Sequence, residues 1–302
     1  MIKKAVITAA GRGTRHYPAT NAVQKEMFPL VDIDGVSKPV IQIIVEQVVL
    51  AGIEDVCIVV NPGESEQFRK HFNELNSKDR RTFEEKGKAW GLLQSDLLGN
   101  LKARITYIEQ TEQKGFGHAV WCAHQFVHED PFLLLLGDHV YVSETEISCI
   151  AQTLQGYGQI QKTLFPVICT PIEQLHLFGT LTGQPVTGKT GLYQVTEIIE
   201  KPNPETARKY LITPGLPKEQ FFTFFGIYAL SPDIMHILNN HVNKDVRSGG
   251  EIQLTPALRE LSSSREAFAM EIRGRRLDMG TPMGYIETQI ALARKGVFAS
   301  KV

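Results

Sequence analysis

The chain has 302 residues, enough for one large α/β domain or two modest ones, and enough to enclose a deep ligand cleft. Its 32 Lys and Arg against 33 Asp and Glu leave a formal net charge of -1, which excludes the broad basic field of a nucleic-acid binder and demands a local cluster for any phosphate affinity. No apolar run approaches the ~20 residues that cross a bilayer, and Cys57, Cys122, Cys149 and Cys169, with no CxxC pair, read as reduced thiols of a cytoplasmic protein.

The first residues imitate the basic and apolar regions of a signal peptide, but the apolar run is short and meets Gly11-Arg12, so it reads as a strand, Lys4–Thr8. Further β-rich runs at Val56–Val60, Ile105–Ile108 and Phe132–Leu136 alternate with helical patterns at Pro39–Ala51, Glu64–Phe72 and His118–Val127. That alternation predicts an α/β fold: a Rossmann-like, mostly parallel sheet flanked by helices. Val40–Leu50 is rich in β-branched residues, yet Pro39 suits a first helical position and Gly52 a stop, which favours a helix. Later runs at Thr163–Cys169, Gly191–Glu200 and Phe222–Leu230 alternate and predict added antiparallel strands, followed by a helical tail from Thr281 to Lys295. With no repeat and no long linker, a single domain over 1–302 is expected, with one part to about 160 and another from about 161 onward.

The first strand runs into Ala9-Ala10-Gly11-Arg12-Gly13-Thr14-Arg15-His16-Tyr17-Pro18, with Lys25 shortly beyond. Small residues let backbone N–H groups approach an anion, and two cations, Arg15 and Lys25, can close over the same charge, so the segment reads as a triphosphate cradle. A dinucleotide fingerprint would need a third glycine where His16 stands and a helix where Pro18 stands. Gly183-Gln-Pro-Val-Thr-Gly188-Lys189-Thr190 satisfies the Walker A pattern, but an alternating strand follows it instead of a helix, and it reads as a hairpin tip. His118, Cys122, His124 and His128 have metal-ligand types, yet on one helix they divide between two faces and cannot converge on an ion.

Taken together, Gly11–Arg15, Lys25-Glu-Met-Phe-Pro29, Gly115-Phe-Gly-His-Ala-Val120, Gly137-Asp138, Phe178-Gly179, Glu200-Lys201-Pro202, Gly250-Glu-Ile-Gln-Leu-Thr255 and Asp278-Met-Gly-Thr-Pro282 resemble, in order, the motifs of the sugar nucleotidylyltransferases. The likeness is closest to the bacterial UTP:glucose-1-phosphate branch and spans nearly the whole chain. It implies a nucleoside triphosphate and a sugar 1-phosphate as partners, with no nucleic acid and no membrane; a homo-oligomer is left open. The first part would bind nucleotide, and the second part with the C-terminal helices would bind sugar.

The same resemblance implies roles. Arg15 and Lys25 are the catalytic cations. Ala9, Ala10, Gly11, Gly13 and Thr14 cradle the phosphates, and Gly115 also binds the nucleotide. Gln110 and Gly117 read the base, and a glutamine amide can present either a donor or an acceptor to it. Gly179, Glu200 and Lys201 take the sugar phosphate, while Asp138 and Asp278 ligate Mg²⁺, a hard cation suited to carboxylate oxygens. Two readings compete with UTP and glucose 1-phosphate. Gly226-Ile-Tyr228 and Met279-Gly-Thr-Pro282 depart from the uridylyl form toward a sibling enzyme using dTTP or CTP, and a non-catalytic nucleotide-sugar sensor would keep the cleft without the chemistry.

Overall fold

The computed structural model describes residues 1–301. Its strands, in chain order, are β1 (Lys4–Ala9), β2 (Pro29–Val31), β3 (Ser37–Pro39), β4 (Asp55–Val60), β5 (Ile105–Glu109), β6 (Phe132–Leu136), β7 (His139–Ser143), β8 (Thr163–Pro171), β9 (Gly179–Pro185), β10 (Leu192–Glu200), β11 (Gln220–Phe224), β12 (Ile227–Leu230), β13 (Ala267–Glu271) and β14 (Gly274–Asp278). Ten of them form one sheet in the order β11-β9-β10-β13-β8-β12-β6-β1-β4-β5. The β5 end is parallel: β1 lies between β4 and β6, with Ala5 opposite Val56 on one side and Leu133 on the other. The far end is antiparallel except for β13 on β8, and β11 pairs with both β9 and β8, so that end curls until it meets itself.

Strands covered on both faces are apolar almost throughout, and Phe132, Leu133, Leu134 and Leu135 of β6 are all inaccessible to solvent. Alternate residues serve opposite layers. Ile7, Ile58 and Leu133 pack with the helix Val40–Leu50 on one face. Val6, Val59 and Leu134 pack on the other with helices carrying Val120, Ile234 and Leu258.

Val40–Leu50 is a helix despite its β-branched residues, because Pro39 enters it extended, Gly52 leaves it at φ 98°, and both faces are wanted for burial. Two expectations need correction. The apolar run Phe222–Leu230 is two strands, because Gly226 turns the chain at φ 89° between β11 and β12. The helix expected over His118–Val127 begins at Phe116 and is interrupted at Ala123. Gly183–Pro185 end β9 and the residues up to Thr190 form the tip joining it to its antiparallel partner β10, as the flanking pattern predicted.

Two ribbons complete the architecture. β2 pairs with β3, and β14 returns to pair antiparallel with β7, with Asp278 opposite His139. The helix Pro282–Lys295 then packs on β2, with the Tyr285 hydroxyl donating to the Pro29 carbonyl at 2.6 Å. The C-terminal segment thus rejoins the first part of the chain instead of staying with the second. Among the described residues, no helix is long and apolar enough to cross a membrane.

Candidate active site

β1 and β6 are parallel neighbours, and the chain leaves β1 to build β4 on its other side, so a crevice opens beyond their carboxyl ends. A cleft of about 600 Å³ occupies it. Ala10, Gly11, Arg12 and Thr14 form one wall, and Lys25, Glu26 and Asp138 line the same space. The loop after β1 passes into a single 3-10 turn, Thr14–His16, instead of the long helix of a dinucleotide fold. Gly13 holds the left-handed conformation needed to enter that turn, at φ 60°. The His16 ring nitrogen Nε2 then meets the Met279 carbonyl at 2.6 Å, tying this loop to the end of β14.

The expected phosphate residues divide. Ala10, Gly11 and Thr14 face the cleft, whereas Ala9 is buried beneath it and Gly13 shapes the turn without lining it. Arg15 extends toward the β14 side, where a methyl group built on Gly280 would run into both its guanidinium and the Asp278 carboxylate.

Lys25 lies 2.5 Å from Asp138 and 3.5 Å from Glu26. Burial alone would push the Lys25 ammonium down, but the two carboxylates beside it raise its pKa overall. Burial likewise raises Asp138, yet the His139 hydrogen bond at 2.9 Å and the Lys25 charge outweigh it and hold the carboxyl well below the usual range. Glu26 goes the other way: burial lifts it to about 8 against the pull of Lys25, and one of its oxygens has no partner. Neighbouring acids are thus separated into one that ionises readily and one that resists ionisation.

Asp138 and Asp278 converge. The Met279 N–H donates to the Asp138 carbonyl at 2.9 Å, and the Gly280 N–H donates to Asp278 Oδ1 at 2.7 Å. Ligand atoms of Asp138, His139 and Asp278 all lie within 4.8 Å of one another, the one such cluster among the described residues. Two aspartate oxygens with a carboxylate-orienting imidazole fit a hard divalent cation that retains waters. His118 and Cys122 instead meet each other at 3.8 Å, and His124 stacks on Trp121, so that sequence cluster gathers no metal set.

On the base side, Gln110 is buried at the cleft with its amide nitrogen 3.1 Å from the Gly115 carbonyl and 3.1 Å from His118 Nδ1. Gly115 lines the cleft; Gly117 does not. The Gly117 N–H is spent on the Ile252 carbonyl at 2.8 Å, and a Cβ there would stand 2.7 Å from the Gln253 carbonyl. Gly117 therefore stands off the cleft lining and serves the close approach of two backbones.

Gly179, Glu200 and Lys201 do not line this cleft but stand together at the β9–β10 end, where Gly179 pairs with Glu200 in register. Thr255 donates to Glu200 at 2.7 Å, and Glu251 of the same segment lines the cleft, so one loop joins the two places. Lys201 departs from the strand at φ 44° and carries its ammonium 3.9 Å from Glu200. Arg12, Glu26 and His139 were not singled out from the sequence. Arg12 and Glu26 stood inside quoted motifs, while His139 carried no signal beyond its place beside Asp138.

A loop for anions set against paired carboxylates, at the switch point of a mixed sheet, fits the class of α/β proteins that move nucleotide phosphates. The chain belongs to the nucleotidyl transferase family, whose sequence model matches residues 4–295. It is 38% identical over 292 residues to the UTP–glucose-1-phosphate uridylyltransferase of Bacillus subtilis strain 168, spanning 97% of this chain and 91% of that one. A solved UDP-glucose pyrophosphorylase complexed with UDP-glucose is similar at a TM-score of 0.77 and 28% identity, covering 98% of this chain and 100% of the other. The UTP-bound UGPase from Acinetobacter baumannii is similar at 0.80 and 26%, covering 98% and 95%.

Proposed function

We propose that this protein transfers the uridylyl group of UTP to glucose 1-phosphate, forming UDP-glucose and pyrophosphate. The observation that carries the reading is the meeting of the Gly11 loop, Lys25, Asp138 and Asp278 at one sheet edge, in a chain whose full-length relatives bear that activity in their names.

The reaction joins two polyanions. Two unit charges at ~4 Å interact by roughly 4 kcal/mol at an effective dielectric near 20, so neutralisation and alignment dominate the barrier. An oxygen of the sugar phosphate attacks the α-phosphorus in line and the P–O bond to pyrophosphate breaks; the attacking oxygen is already ionised, so no general base is required. Backbone N–H groups of the Gly11 loop, with Arg15 and Lys25, hold the triphosphate and receive the charge of the leaving pyrophosphate. Mg²⁺ held by Asp138 and Asp278 would screen phosphate charge there. Glu200 accepts from sugar hydroxyls, and Lys201 draws in the acceptor phosphate.

Gln110 supports the base assignment. The Gly115 carbonyl can only accept, so it fixes the amide nitrogen toward itself and leaves the amide oxygen as acceptor for a nucleobase. Uracil and thymine offer N3–H to such an oxygen; cytosine offers a lone pair. The free cysteines accord with a reducing cytoplasm.

Pyrophosphate release with Mg²⁺ tests the proposal, using UTP, dTTP, CTP and ATP against glucose 1-phosphate and galactose 1-phosphate. Highest kcat/KM for UTP with glucose 1-phosphate is expected; a preference for dTTP, or no release with any pair, overturns it.

A further inference from the structure

β14 pairs with β7 so that Arg276 stands opposite Tyr141 and Asp278 opposite His139. Two residues apart on one strand, Arg276 and Asp278 project to the same face. The Arg276 guanidinium lies over the Phe178 ring, 3.5 Å from its centroid, and its Nη1 donates to the Phe224 carbonyl. Both contacts touch the sugar-side residues. Phe178 immediately precedes Gly179, and a Cβ at Gly179 would fall 2.8 Å from the Phe224 ring and 3.0 Å from Glu200. The guanidinium therefore bridges the space between the metal carboxylates and the sugar residues.

Among the described residues, no carboxylate stands within ion-pair distance of Arg276, although it is half-buried. Such a cation is costly to desolvate unless charge of the other sign meets it. A guanidinium has five N–H donors in a rigid fork. One is engaged by Phe224, and stacking on Phe178 occupies a face while leaving the edge free.

We infer that Arg276 is a binding residue for the acceptor, receiving the phosphate of the sugar 1-phosphate in a fork-like contact beside Asp278. The inference rests on the proposed transfer from UTP to glucose 1-phosphate. The ring-and-carbonyl clamp aligns the guanidinium in advance, so little rotamer freedom is lost when the dianion arrives. Lys201, exposed at the rim, supplies attraction at longer range; Arg276 supplies direction.

The test is steady-state kinetics on Arg276→Gln and Arg276→Lys, with melting temperature as the control for folding. Gln keeps a donor for the Phe224 carbonyl but removes the charge. In Arg276→Gln, KM for glucose 1-phosphate is expected to rise about 10- to 100-fold, the value of a charged hydrogen bond, while KM for UTP stays within about twofold. Arg276→Lys is expected to fall between Gln and wild type, and added guanidinium ion to restore part of the Gln loss. Wild-type kinetics in Arg276→Gln, equal rises in both KM values, or a lowered melting temperature with unchanged KM would each overturn the assignment and leave Arg276 as a cap on Phe224. If the wild-type protein itself releases no pyrophosphate from UTP and glucose 1-phosphate, the functional reading fails, and titration calorimetry with glucose 1-phosphate decides the Arg276 site separately: weaker binding in Arg276→Gln retains it, and unchanged binding removes it.

Discussion

Lys25 and Asp138 lie 2.5 Å apart with both side chains almost enclosed, so the cation assigned to the triphosphate and the carboxylate assigned to the metal neutralise each other. With the proposed metal at Asp138, the pair would make Lys25 its competitor for one aspartate. Lys25→Met is therefore expected to bind Mn²⁺ alone more tightly than wild type while losing at least ~10²-fold in turnover, the scale of one charge-stabilising donor at a transition state. Asp138→Asn is expected to lose both metal affinity and turnover. Paramagnetic titration with Mn²⁺, run beside the pyrophosphate assay, separates the two effects. Weaker Mn²⁺ binding in Lys25→Met would contradict the competition.

Gln110 carries the second prediction. Replacing it by Leu removes the acceptor and leaves the Gly115 carbonyl unpaired on that side. KM for UTP is expected to rise on the order of 10-fold or more, with KM for glucose 1-phosphate little changed. Wild-type discrimination between UTP and CTP in the Leu variant would show that the base is read elsewhere.

The parallel half and much of the cleft were legible because their physics is local. Runs such as Phe132–Leu136 are apolar throughout and end in Gly137-Asp138, which marks both a buried strand and the edge where it stops. The strand pattern after Gly188-Lys189-Thr190 was enough to dismiss a P-loop. Other features depend on partners distant in sequence. Gly117 and Gly115 look alike in the chain, and both lie against the backbone around Ile252, yet only Gly115, at φ 115°, also lines the cleft. Ser77–Glu85 buries none of its side chains, so it has no apolar stripe from which a helix could be read. His139 follows Asp138, and simple alternation sends neighbours to opposite faces; the turn before β7 brings its ring back to the carboxylate.

His71 should govern part of the acid sensitivity. Its Nε2 meets Gln42 Oε1 at 2.9 Å, and burial pushes its pKa down from 6.5 to about 4. Between those values the unfolded chain binds a proton that the folded chain excludes, so stability rises with pH across the window and is lost as pH falls from about 6.5 to about 4. The loss is on the order of 3 kcal/mol at most. His71→Gln keeps a donor for Gln42 and cannot titrate, so its urea midpoint is expected to vary less with pH over that interval. Parallel profiles for the two proteins would remove His71 from the account.

Lys38 is 2% exposed and meets Asp32, Asp34 and Glu46 at 2.9, 2.7 and 2.7 Å. Burial opposes its charge, but hydrogen bonds to those three acids raise its pKa well above the ordinary value. It fastens the β2–β3 ribbon to the helix Val40–Leu50. Lys38→Met strands the carboxylates and is expected to cost about 3–5 kcal/mol in urea unfolding, with Glu46→Gln on top recovering part of it. A cost below 1 kcal/mol would mean that water reaches the acids easily.

Two glycines offer a closing contrast between function and packing. A Cβ at Gly179 would stand 2.8 Å from a carbon of the Phe224 ring and 3.0 Å from a Glu200 oxygen, both parts of side chains. The Glu200 carboxylate can swing aside, the buried Phe224 ring only with its neighbours, and either shift disturbs the surface proposed for the sugar. Gly179→Ala is expected to raise KM for glucose 1-phosphate roughly 10-fold and to spare UTP, at a stability cost of about 1–3 kcal/mol because the Phe224 ring is packed in the core. A Cβ at Gly117 would instead meet the Gln253 carbonyl oxygen at 2.7 Å and its carbon at 2.8 Å, and the Ile252 carbonyl at 2.9 Å. Backbone cannot rotate aside, so Gly117→Ala is expected to push the helix Phe116–Cys122 away from the Ile252–Gln253 segment and cost about 1–3 kcal/mol. Melting curves and KM values for both substrates, measured on both variants, would expose an error in either assignment: a stable Gly117→Ala with a raised KM for UTP restores that glycine to the base, and a Gly179→Ala that is unstable but kinetically normal makes the β9 glycine a packing residue.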